Sequence, residues 1–190
     1  ADVAARQFFA RHPSAFDDEE RVVPLQTVQP WATAQGRHRL SFVADLPALG
    51  YRVYRVVPRP GQPKPATMTA TNLSMENAHL RLSLDAQTGH IAGLYDKKAG
   101  IEVFAGAAAR AVVIDDPSDT WGHAATFDRV IGEFAVHRVA LVESGPVKSV
   151  IRVQSTYGAS RLIQDFTMYA AVEHIAVRVT VVWREQCKML

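Results

Sequence analysis

The densest grouping of chemically capable side chains is Asp115-Asp116-Pro117-Ser118-Asp119-Thr120-Trp121-Gly122-His123. Trp121 can stack on the apolar face of a sugar ring, while Asp119 and His123 can hydrogen-bond its hydroxyls. These three are the candidate substrate-binding residues, on a loop between strand signals. A turn explains the same letters, because Asp-Pro and Ser-Asp initiate turns and the indole would then cover a core. As a metal site the segment is poor. A calcium loop needs oxygen ligands at alternate positions and a downstream Glu, and Pro117 and the late Gly122 break that pattern. For zinc, Asp119 and His123 lack a third ligand at a recognisable spacing. The chain carries no nucleophile elbow, phosphate loop, dinucleotide fingerprint or His-Glu-x-x-His. No catalytic residue, metal ligand or cofactor is therefore assigned to it. His12, His38, His79, His90, His137 and His174 are dispersed and read as surface or strand-edge residues.

The elements that must position these side chains are mostly strands. Ala1 to Phe16 has loosely helical spacing that His12-Pro13-Ser14 stops, and Asp17-Asp18-Glu19-Glu20 reads as a solvated loop. Period two then takes over, in 37–45 and 51–57. Pro58 to Pro65 holds four prolines in eight positions, an extended linker that marks the boundary between a segment 1–66 and a domain 67–190. Residues 79–85 and 90–95 form a hairpin pattern, with shorter runs at 101–104 and 110–115. Long strands are expected over 147–157, 161–169 and 174–184, the last with Ile175, Val177, Val179 and Val181 inward. Many short strands separated by turn signals predict an all-β fold, an antiparallel sandwich or barrel. The final residues, Lys188-Met189-Leu190, directly follow a patterned strand, so the polypeptide is expected to continue; Ala1 likewise reads as a processed or excised start.

Composition excludes several classes. With 190 residues and 48% hydrophobic content the chain can bury a core and is not disordered. No apolar run reaches the roughly 18–20 residues of a membrane span, so no membrane partner is expected. The net charge of +2 comes from scattered Arg and Lys, without the clustered footprint of a nucleic-acid binder. Cys187 is the single cysteine; it cannot form an internal disulfide, fits a reducing cytoplasm and has no Cys-His signature around it.

Five segments in order carry a family resemblance: Leu46 to Tyr54 (LPALGYRVY), Asn72 to Asn77 (NLSMEN), Ser118 to His123 (SDTWGH), Val142 to Val147 (VESGPV) and Trp183-Arg184-Glu185. Over about Val22 to Leu190 the chain resembles the post-catalytic region of glycoside hydrolase family 38, the α-mannosidases, in its bacterial branch. The resemblance implies a small β-domain segment followed by the start of a β-supersandwich of galactose-mutarotase-like architecture. It also implies a parent enzyme that hydrolyses α-mannosidic bonds with retention, through a covalent intermediate. The Asp nucleophile and the zinc ion of that family belong to an N-terminal catalytic domain whose motifs this chain lacks. The implied partners are that catalytic domain, on the same polypeptide, and a mannose-containing oligosaccharide. Because the family's β-domains contribute to the active-site rim, the Asp119–His123 loop becomes a candidate rim element, and Arg110 or Tyr95 would serve likewise. Two other classes remain: a free-standing carbohydrate-binding module using Trp31, Trp121 or Trp183, and a mutarotase-like isomerase, which needs a His and a carboxylate converging in a cleft.

Overall fold

The computed structural model describes residues 13–28, 39–58, 67–117 and 128–190. Among them every regular element is a strand and every pairing between strands is antiparallel. The chain divides into two compact units, Ala1–Thr67 with Gly145–Lys148, and Met68–Ser144 with Ser149–Leu190. The proline-rich linker is largely outside the described residues.

The first unit contains β1 (Ser14–Phe16), β2 (Val22–Val23), β3 (Gln26–Val28), β4 (Arg39–Ser41) and β5 (Arg55–Val57). They form the sheet β2-β1-β5 and the pair β3-β4. The helical spacing read over the first residues lies mostly outside the described ones, and directly at the stop in His12-Pro13-Ser14 residues 14–16 are strand, paired on both sides. The acidic run is also not uniformly solvated. Asp17 is buried, and its carboxylate accepts from Glu19 N, Arg21 N and Arg21 Nε. A carboxylate that closes a turn on backbone N–H groups can be buried because its lone pairs are used. In the same unit, Gln26 Oε1 accepts from Val147 N and Lys148 N at 3.0 and 2.9 Å. Gly145 permits this approach, since a Cβ there would lie 2.4 Å from the Gln26 side chain.

The second unit is a sandwich. Strands β6 (Thr69–Ala70), β7 (Ser74–Glu76), β8 (Leu80–Leu84), β9 (Ile91–Asp96) and β10 (Ile101–Glu102) make one meander, in the order β10-β9-β8-β7-β6. Strands β11 (Val112–Asp115), β12 (Val130–Glu133) and, near the C-terminus, β17 (Lys188–Met189) form β12-β11-β17. Strands β13 (Ala135–Glu143), β14 (Lys148–Tyr157), β15 (Ser160–Tyr169) and β16 (Ile175–Val182) form the second large sheet in sequence order. Met75, Leu80, Leu82, Leu84 and Ile91 from the meander meet Ile151, Val153, Phe166 and Met168 from the second sheet in one core. Strict alternation in β8 buries Leu80, Leu82 and Leu84 on one face, and Leu162, Phe166 and Met168 share the buried face of β15. A smaller cluster joins Val113, Phe134 and Leu162, with Tyr157 and Trp183 packed against it.

Two strand readings need correction. Ile175 packs on the core, but Val177, Val179 and Val181 are 45%, 54% and 39% exposed rather than inward. Their phase is right: they pair with Phe166, Gln164 and Leu162 across β15. What is missing is cover, because β16 is the end strand of its sheet among the described residues. Strands β12 and β13 had no clear signal, because β13 breaks period two at register shifts near Val136/Arg138 and Leu141/Glu143.

The two large sheets are also tied by Asn77, buried at the turn between β7 and β8. Its Nδ2 donates to the carbonyls of Tyr169, at the end of β15, and Val172, just after it, and its Oδ1 accepts from His79 N and Leu80 N. Removing the amide leaves two carbonyls and two N–H groups in or near the core without these partners. Asn77→Ala is expected to destabilise the chain by about 2–4 kcal/mol. Urea unfolding is the check, and a loss under about 0.5 kcal/mol, within the range of a neutral surface change, would contradict this role.

Candidate functional site

Three short-range constraints assemble a cluster of His90, Arg110 and Glu133. The turn before β9 is closed by Asp85, whose Oδ1 accepts from Gln87 N, Thr88 N and Thr88 Oγ1. Gly89 completes that turn at φ +68°, where a Cβ would also strike Val153. The small-residue stretch before β11 then runs beside β9: Ile91 and Ala108 exchange hydrogen bonds of 2.9 and 3.0 Å. This puts Arg110 next to His90. Finally, the β11–β12 ladder pairs Val112 with Glu133 and delivers the carboxylate.

Arg110 Nη2 donates to Glu133 Oε1. His90 Nε2 lies 3.7 Å from Glu133 Oε2, beyond hydrogen-bond length. The side chains of His90, Glu133 and Arg110 are 13%, 32% and 49% exposed. Burial, then the Arg110 charge, lower the His90 pKa, against a smaller opposing pull from Asp85. His90 is therefore neutral at neutral pH. The cluster brings together a neutral imidazole, an anionic oxygen and a guanidinium. That set can orient hydroxyl groups or hold a proton. It does not meet the geometry of a mutarotase-like isomerase: an acid and a base 3.7 Å apart cannot straddle a sugar ring.

The other predicted residues fall elsewhere. Asp119, Trp121 and His123, like Trp31, lie outside the described residues. Trp183 is no open platform, since it packs against Phe134 with ring centroids 6.3 Å apart. Tyr95 sits under the Arg81 guanidinium at 5.0 Å. Cys187 is exposed at φ +50°. Among the described residues, no three His, Cys, Asp or Glu side chains converge as metal ligands. A shallow depression lined by Arg138, Ala140, Val142, Arg152 and Gln154 lies on the second sheet, where Arg152 is already held by Asp165 through bonds of 2.7 and 2.8 Å.

Sequence reading placed His90 at a strand edge and missed its partners, which are 20 and 43 residues away in the chain. Gly89 and Ala109 beside the cluster both take positive φ, a conformation that an alanine in the sequence does not signal. Several resemblance motifs serve structural ends instead. Glu185 accepts from Ala159 N and Ser160 Oγ, closing the β14–β15 turn. Gly158 there has φ +53°, and a Cβ would lie 2.7 Å from the Glu185 carboxylate.

These features define an antiparallel β-sandwich domain that carries a polar cluster of His90, Arg110 and Glu133. The model of the glycosyl hydrolases family 38 C-terminal domain matches residues 75–190, from β7 to the end of the chain, so the chain belongs to that family. Comparison with curated proteins gives no match. No helix among the described residues is long and apolar enough to cross a membrane.

Because His90 is held neutral, its folded pKa lies below the unfolded value and the unfolded chain binds more protons in the interval between them. Stability from this residue is present above about pH 6.5 and falls as pH drops through that interval. An NMR titration should give a His90 midpoint below 6.5, rising in Arg110→Ala. A wild-type midpoint above 6.5 would contradict the assigned environment.

Proposed function

We propose that this chain is the non-catalytic β-region of a retaining α-mannosidase, supporting an N-terminal catalytic domain on the same polypeptide. The observation that carries this reading is the family match across residues 75–190. The family is one of glycosyl hydrolases, and its C-terminal domain implies a catalytic partner preceding it. In this reading the Asp nucleophile and the zinc ion reside in that partner, and the substrate is a mannose-containing oligosaccharide. Within the cluster at His90, the Glu133 carboxylate is paired with Arg110. The Asp119–Trp121–His123 loop contributes to the substrate rim, with the indole stacking on a sugar face and the polar pair taking hydroxyls. The enzyme works in the cytoplasm, where a single unpaired cysteine is the ordinary condition.

Incubated alone with an aryl α-mannoside and zinc, the 190-residue chain should show no turnover above background. Zinc-dependent hydrolysis by this chain would overturn the assignment of catalysis to another domain. In the parent polypeptide, Trp121→Ala should raise KM about tenfold with kcat nearly unchanged, as loss of one stacking contact implies. An unchanged KM would remove the loop from the rim.

A further inference from the structure

We propose that His90, Glu133 and Arg110 form a binding site for adjacent hydroxyl groups of a neutral sugar. The gap between His90 Nε2 and Glu133 Oε2 is 3.7 Å. A direct hydrogen bond does not span it, yet a hydroxyl oxygen about 2.8 Å from each atom fits, donating to the carboxylate and accepting from the imidazole N–H. Glu133 Oε1 is taken by Arg110, so Oε2 is the acceptor left for a ligand. Arg110 spends one donor on that bond and, being half exposed, has further N–H groups for a neighbouring hydroxyl.

Charge selects the ligand class. With His90 neutral, the Arg110–Glu133 pair leaves the cluster uncharged, so neither an anion nor a cation gains by entering. A divalent metal is further disfavoured by Arg110, whose charge would oppose it, and by the presence of only two ligand side chains. A polyol that both donates and accepts matches the mixed set. The site is also preorganised: the Asp85 turn fixes His90, the Ile91–Ala108 bridge fixes the Arg110 segment, and the β11–β12 ladder fixes Glu133.

The test is an NMR titration of the full 190-residue chain with methyl α-mannoside and, in parallel, methyl α-glucoside, following the His90 ring signals. The proposal expects a saturable shift centred on His90 with at least one of them, in the millimolar range. Glu133→Ala should weaken binding at least tenfold, and Glu133→Gln, which keeps the side chain's size, should weaken it less. Absence of a saturable shift with both sugars overturns the proposal, since water alone would then fill the gap. Unchanged affinity in a folded Glu133→Ala variant also overturns it. Because the readout is binding to this chain alone, it is independent of whether the parent enzyme is a mannosidase.

Discussion

The sandwich depends on one buried amide. Hydrophobic contact between the two large sheets is non-directional: it rewards burial of Leu82, Ile151 and Phe166 without fixing how the sheets register. Asn77 supplies the direction. Its two N–H bonds reach the end of β15 and the following turn, while its oxygen holds the entry to β8. A misplaced register would strand four polar groups as well as a mispacked core. Lys97 reinforces the same corner, donating to the Asn77 carbonyl at 2.6 Å and pairing with Glu76.

The same logic recurs at the other tight turns. Gln26 holds the backbone of Val147 and Lys148, Glu185 holds that of Ala159, and Asp85 holds Gln87 and Thr88. Each is a side chain satisfying backbone donors that no ladder reaches, which lets short turns sit against a core. Gly145 and Gly158 stand where a Cβ would collide with two of these anchors. Three of the segments that carry the family resemblance (72–77, 142–147 and 183–185) contain such anchors or the glycines facing them, so much of the recognisable sequence encodes corners of the fold.

This explains what was legible in the sequence. Strand β8 alternates without interruption, and in β15 Leu162, Phe166 and Met168 keep one buried face, so period two places both. Strand β13 carries two register shifts, so its apolar residues, Val136, Val139 and Leu141, fall out of phase with any single template. For β16 the alternation gave the face but not the cover, because burial depends on which strands lie opposite. Asp17 looked like part of a solvated charge run, since nothing local shows a carboxylate folding back on Arg21. The His90 cluster was invisible for a stronger reason: its three members come from separate turns and a ladder, and only the paired backbone brings them together.

Native-state hydrogen exchange at the Leu80 amide tests most directly whether Asn77 and the core form one cooperative unit. That amide donates to Asn77 Oδ1 at 2.7 Å rather than to a ladder carbonyl. The account predicts that it opens with the same free energy as the ladder amides of β14 and β15, through global unfolding. Exchange at Leu80 through a local opening several kcal/mol cheaper would contradict it, and the sheets would then be held by apolar contact alone.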